Sequence, residues 1–220
     1  MRSLSHPLQA GSQAERLLVL LPGAEVTLED FTHYGFIDAV RQRGFAVDIQ
    51  CAGISYEHVM ARTVVDTLHA EVILPARAAG YREIWLAGIS LGAFNSLLYA
   101  SAHADQLAGL CLLAPYPGTG DILAEVRTAG GPQAWLDSPE SLQGDERVFW
   151  RWLAACQRDG HWPCSIHALT GTEDRFLRGQ RMLMELLPAT CRTELPGAHD
   201  WPAWQSQWTH WLDHGPWSRA

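Results

Sequence analysis

Residues 84–92, Ile-Trp-Leu-Ala-Gly-Ile-Ser-Leu-Gly, constrain this chain more than any other stretch. An apolar run ends in Gly88, Ser90 follows two residues later, Gly92 lies two beyond that, and 93–103 reads as helix. G-x-S-x-G between a buried strand and a helix describes a sharp turn that holds one serine in a strained conformation. The glycines suit it because neither carries a Cβ, so strand and helix can approach closely. Such a turn lifts Ser90 Oγ above the sheet. It also aims the Leu91 N–H, at the start of the helix, where an oxyanion would form.

The bare pattern is short, and its weight comes from residues further along the chain. A serine nucleophile needs a base and an orienting acid, which in strand–turn–helix sites of this kind come in the order Ser, Asp/Glu, His. Residues 165–174, Ser-Ile-His-Ala-Leu-Thr-Gly-Thr-Glu-Asp, read as a strand ending in a glycine turn that carries Glu173 and Asp174. Residues 193–199, Thr-Glu-Leu-Pro-Gly-Ala-His, read as a second strand and glycine loop ending at His199. Acid and base thus each sit just past the C-terminal end of a strand, where open parallel sheets place their functional groups.

With these residues the chain resembles the α/β-hydrolase superfamily, over nearly its whole length from about Arg16 to Trp211. The resemblance implies Ser90 as nucleophile, Asp174 as acid and His199 as base. Glu173 is an adjacent alternative to Asp174, and Asp121 is another, since some members take the acid from after the preceding strand. Leu20-Leu-Pro-Gly23-Ala24 matches the first strand and oxyanion loop, with Pro22-Gly23 where many members have His-Gly. The second oxyanion donor is then the N–H of Ala24, with Glu25 beside it. Gly197-Ala-His-Asp-Trp-Pro-Ala-Trp204 is similar to the histidine loop of some esterase-D-like members. The implied chemistry is hydrolysis of a small-molecule ester or thioester of a small to medium acyl group, carboxylesterase-like, through an acyl-enzyme. A thioesterase or acyltransferase working on a carrier-bound acyl group, and a non-catalytic ligand-binding protein on the same fold, remain open as alternatives.

Apolar runs at 16–21, 45–51, 83–88, 107–113, 165–170 and 191–195 read as strands, with helical patterns near 29–43, 57–79, 91–103, 176–187 and 201–213. Such alternation means parallel βαβ units and an α/β fold. Only fifteen residues precede Arg16. The expected sheet is therefore a reduced, mostly parallel one of about six strands, in the order 4-3-5-6-7-8 by the family's numbering. Thr27-Leu-Glu-Asp30 resembles a capping box at the first helix. The alternation fails over about 116–163, where these hydrolases insert a helical cap; helices near 121–129 and 145–158 are expected there. The cap would make Tyr116 and Trp150, with Glu25, candidate substrate contacts. Trp135, Phe149, Trp150 and Trp152 are otherwise core residues, as aromatics usually are. Trp201, Trp204, Trp208 and Trp211 recur on one face of the last helix and should bury it against the sheet.

At 220 residues the chain suits a single domain. Its net charge of −8 argues against nucleic acid and against anionic membranes. No apolar stretch approaches the length of a membrane helix. Five irregularly spaced cysteines fit a reducing cytoplasm. A basic group at Arg147, Arg151 and Arg158 could receive an acidic carrier despite the overall charge. Cys156, His161, Cys164 and His167 crowd into twelve residues. Their spacing matches no standard zinc pattern, and Cys164 and His167 would face opposite sides of a strand. Neither a P-loop nor a G-x-G-x-x-G dinucleotide pattern appears, so no metal or cofactor is expected. Nothing in the sequence bears on oligomeric state.

Overall fold

Runs of leucine, isoleucine and valine too short for helices, and apolar on both faces, become the inner strands of a parallel sheet. In a computed structural model, which describes residues 1–9, 11, 13–142 and 146–219, the strands are β1 (Ser3–His6), β2 (Arg16–Leu21), β3 (Val47–Ala52), β4 (Glu83–Ile89), β5 (Gly109–Leu113), β6 (Ser165–Gly171) and β7 (Arg192–Leu195). They form one seven-stranded sheet in the order β1-β3-β2-β4-β5-β6-β7. From β3 to β7 every pairing is parallel, and this six-strand order is the expected one.

The strand beyond the expected six is β1, which pairs antiparallel with β3, Leu4 opposite Cys51. Its sequence, Ser-Leu-Ser-His, has no apolar run. It is an edge strand of alternating exposure, held by ladder bonds and by the Gly53 N–H donating to the Arg2 carbonyl at 2.9 Å.

Alternation along β2 sends Leu17, Val19 and Leu21 to one face and Leu18 and Leu20 to the other. On the second face lie α1 (Asp30–His33) and α2 (Phe36–Gln42), separated by Gly35 in the left-handed region (φ 75°). One helix was expected over 29–43. Thr27 donates its N–H to Asp30 Oδ2 at 2.7 Å, and the helix starts at Asp30 itself. The first face carries α3 (Tyr56–Met60), α4 (Val64–Leu68) and α5 (Leu74–Ala79). Arg62, at φ 58°, breaks the expected 57–79 helix between α3 and α4. A wide π-type turn over His69–Ile73 joins α4 to α5 and loosens the ladder where Pro75 could not have donated a bond.

The same face carries α6 (Leu91–His103), α7 (Gly120–Thr128), α8 (Pro132–Leu136), α9 (Arg147–Asp159) and α10 (Leu177–Met184). The elements α7 to α9 fill the stretch between β5 and β6, α8 being additional to the two expected helices; residue 145, where the second was expected to begin, lies outside the described residues. Their apolar sides join the main core through Ile122, Val126, Trp135, Phe149, Trp150 and Leu153. Arg147, almost fully buried, ties α9 to α7 by donating to Glu125 at 3.0 Å. Finally α11 (Trp201–His214) closes the second face: Trp208 and Trp211 are buried, and the Trp208 indole N–H donates to the Phe36 carbonyl at 3.0 Å. Among the described residues no helix is long and apolar enough to cross a membrane.

Close approach at the start of α6 sets the register of these layers. A Cβ on Gly92 would lie 2.0 Å from the Leu21 carbonyl oxygen, and one on Gly88 would lie 2.2 Å from the Gly92 carbonyl carbon. In an open helix glycine to alanine gains up to about 1 kcal/mol. Gly92→Ala should do the reverse and lower stability by at least about 2 kcal/mol, as overpacking does. Urea unfolding measures it, with Gly120→Ala as control, since a Cβ there meets nothing within 4 Å.

Candidate active site

Ser90 occupies the single residue between β4 and α6 and is held at φ 52°, ψ −108°. A non-glycine residue so placed costs about 1–3 kcal/mol and persists only where its surroundings impose it. Here the backbone is pinned on both sides. The Ser90 N–H donates to the Leu113 carbonyl at 2.9 Å, and the Ser90 carbonyl accepts from the N–H groups of Phe94 and Tyr116, both at 3.1 Å. Gly88 and Gly92 give the bend its clearance.

Asp174 and His199 come from two loops joined to each other. Thr172 donates its N–H to the Leu195 carbonyl at 2.8 Å, and Glu173 donates its own to the Gly197 carbonyl at 2.9 Å. A Cβ on Gly171 would sit 2.1 Å from that Gly197 oxygen, so the loops touch backbone to backbone. Asp174 turns inward from this junction and is buried. Its Oδ1 accepts the Phe176 N–H at 2.7 Å, and its Oδ2 lies 2.7 Å from His199 Nδ1. His199 Nε2 lies 2.9 Å from Ser90 Oγ. Because an ionised carboxylate only accepts, the Nδ1–H donates to Asp174, which leaves Nε2 to accept the Ser90 hydroxyl proton.

Burial pushes the Asp174 carboxyl up, but the hydrogen bonds from His199 and the Phe176 N–H, with the charge of His199, outweigh it and hold the pKa below the usual value. Gln180 on α10 adds to that pull. Its amide is fully buried, its Oε1 accepts the Thr170 hydroxyl, and among the described residues its Nε2 has no partner at full hydrogen-bond geometry. Sequence reasoning missed Gln180: one glutamine in an amphipathic helix carries no signal until the fold turns it toward the acid. The imidazole is also gripped edge-on by Phe176, at 5.0 Å between ring centroids, and Trp204, at 5.3 Å.

Both ring nitrogens of His199 are therefore occupied, and the alternative acids lie elsewhere. Glu173 is exposed, and Asp121 faces Arg147 at 3.5 Å. Leu91 opens α6, so its N–H lies in the first turn without an intrahelical acceptor. The loop bearing Ala24 and Glu25, both exposed, skirts the serine: a Cβ on Gly23 would come within 3.7 Å of Ser90 Cβ. The Tyr116 ring packs against Phe94 at 5.7 Å and Phe176 at 5.4 Å. Trp150 is placed differently from the expected substrate contact. It is fully buried, its indole N–H donating to the Pro117 carbonyl at 2.9 Å, and it presents no surface to a ligand. Of the Cys/His group, Cys164 is buried and His167 Nε2 bonds Ser165 Oγ at 3.0 Å. Among the described residues no three His, Cys, Asp or Glu side chains converge as metal ligands.

No protein-family model matches the chain. No curated protein matches it either. Solved structures do. Est1E from Butyrivibrio proteoclasticus superposes with a TM-score of 0.64 at 13% identity, over 94% of this chain and 89% of its own. The S-formylglutathione hydrolase FrmB from Staphylococcus aureus gives 0.60 at 13% identity, covering 92% and 82%. A monoacylglycerol lipase from Paleococcus ferrophilus gives 0.58 at 15% identity, covering 96% and 97%. At these identities the likeness is one of fold.

The depressed carboxyl has a measurable consequence. A group whose folded pKa lies below its unfolded value, about 3.9 for aspartate, stabilises the fold above that pH, and the contribution is lost as pH falls through the folded value. In urea unfolding, the wild type should lose stability relative to Asp174→Asn between pH 7 and about pH 2. A difference independent of pH would mean that the carboxylate is not held in its charged form.

Proposed function

On the α/β-hydrolase fold that this chain has, we propose that it is a serine hydrolase cleaving an ester or thioester of a small to medium acyl group by way of an acyl-enzyme. The observation that carries the reading is the unbroken line from Ser90 Oγ through His199 to the buried Asp174 carboxylate, with Ser90 in a strained turn at a helix start. The names of the structural neighbours, an S-formylglutathione hydrolase and a monoacylglycerol lipase among them, support ester and thioester chemistry.

In the proposed reaction His199 Nε2 takes the Ser90 proton as Oγ adds to the acyl carbonyl. The N–H groups of Leu91 and Ala24 receive the oxyanion, each donor of this kind contributing about 3–4 kcal/mol. The His199 imidazolium then protonates the departing alkoxide or thiolate, while Asp174 fixes the ring's tautomer and balances its charge. A water activated by the same nitrogen releases the acid and restores Ser90. Relative turnover of an aryl ester and an acyl thioester separates the two leaving groups.

A fluorophosphonate probe should label the wild type at Ser90, and Ser90→Ala should abolish labelling. Full labelling of the variant would sink the nucleophile assignment.

Asp174→Asn keeps the shape of the acid but lets the histidine take the wrong tautomer, a change that costs about 10⁴-fold in a serine protease. A loss in kcat of that order is expected here, against less than about threefold for the exposed Glu173→Gln. Steady-state kinetics on an activated ester decides it. Near-normal activity in Asp174→Asn would move the acid elsewhere.

A further inference from the structure

Thr170, next to last in β6, is fully buried. Alternation along the strand turns Leu169 to the α11 face and Ala168 to the other, so Thr170 shares the side on which α10 packs. Its hydroxyl donates to Gln180 Oε1, and Gln180 is fully buried as well. A buried amide is costly unless both of its ends find partners. Among the described residues Gln180 Nε2 completes no full hydrogen bond, and the group on which the side chain acts is the Asp174 carboxylate.

The backbone brings the amide to that place. Asp174 Oδ1 holds the Phe176 N–H at 2.7 Å, and the Phe176 carbonyl accepts the Gln180 N–H at 3.0 Å. Gln180 therefore stands one helical turn beyond the residue that Asp174 grips.

The two neighbours fix which way the amide points. An ionised carboxylate only accepts, so the end of Gln180 facing Asp174 has to be the –NH2 and the carbonyl end has to face Thr170. The Thr170 hydroxyl donates to that carbonyl and favours the same orientation. A turned amide would set oxygen against oxygen. The contacts to His199 and the Phe176 N–H engage one carboxylate oxygen each. Two such contacts still let the carboxylate rock about the line joining them. A third donor removes that freedom.

We propose that Gln180, oriented by Thr170, is a positioning residue that holds the Asp174 carboxylate on His199 Nδ1. The inference rests on the serine-hydrolase reading, and its test has one arm that needs no activity.

Gln180→Met keeps the length of the side chain and removes the donor. On an activated aryl ester it should lower kcat at least about tenfold, the scale of one hydrogen bond to a charged group. KM should stay within about twofold, since a fully buried Gln180 meets no substrate. In the Asp174→Asn background the same change should lower kcat less than about twofold further, because the group it acts through is gone. Thr170→Val should lower kcat at least about threefold, and Thr170→Ser, which keeps the hydroxyl, should recover most of that loss. In urea unfolding, Gln180→Met should shrink the pH-dependent difference between Asp174→Asn and its parent. A carboxyl held less firmly in its charged form has less stability to lose as pH falls from 7 to about 2.

An equal factor in both backgrounds would make Gln180 a packing residue and overturn the proposal. So would an undiminished kcat in a folded Gln180→Met or, should that variant not fold, in Thr170→Val. An unchanged stability difference in an active enzyme defeats the contact alone. Absence of Ser90-dependent hydrolysis, with the stability difference still shrunk, defeats the hydrolase reading and leaves the contact between Gln180 and Asp174 standing.

Discussion

Helix α6 meets the sheet with no space for a side chain between them, and the other features of the site are built around that contact. Gly92 lies against the carbonyls of Leu21 and Pro22, and Gly88 against the backbone of Gly92 and Ala93. Any other residue at either place would push the helix away from β2 and β4. The bend between them then has one conformation available, and Ser90 takes it at a backbone cost that its carbonyl and amide partners offset. The same closeness brings Gly23, in the loop after β2, beside the serine. Ser90, the first helical amide and the neighbouring loop are thus placed by one packing event.

The polar line across the site is fixed from both ends. Asp174 is held by an amide and by the imidazole, with Gln180 and Thr170 behind it. His199 is held by the acid and by two aromatic edges. Its loop leads directly into α11, whose start is capped by Asp200 accepting the Ala203 N–H at 3.1 Å. Trp201 stacks on Tyr34 at 3.8 Å, and Trp208 stacks on Phe36. The tryptophan face that looked like core in the sequence is core, and it also holds the histidine's loop at the right height.

Features that depend on composition and order were legible in the sequence. Six runs became six strands in the expected order, and for the inner strands β2 to β6 the reason is that a strand buried on both faces cannot hide its composition, whereas β7 is a partly exposed edge. The serine turn and the two strand-end loops were legible too, since each is written in glycines, and the structure brings Ser90, His199 and Asp174 into hydrogen-bond contact. What escaped depends on long-range partners. β1 is polar and is a strand only because β3 offers a free edge. The expected first helix divides at Gly35, and the next at Arg62, where local periodicity continues but the backbone does not. Trp150 was both a candidate substrate contact and a core candidate, because a sequence does not show which way an aromatic on α9 turns. Gln180 was silent for the same reason.

The stitching of the two loops, Thr172 to Leu195 and Glu173 to Gly197, has a mechanical meaning. It makes Asp174 and His199 parts of one jaw carried by β6 and β7, while Ser90 is anchored to the opposing jaw of β4, β5 and α6. Relative movement of the jaws would leave the Asp174–His199 distance unaltered and would fall on the gap between His199 and Ser90. In the proposed reaction that gap is the one the Ser90 proton crosses. A distortion of the sheet between β5 and β6 would therefore detune the site at its most sensitive spacing without disturbing either half.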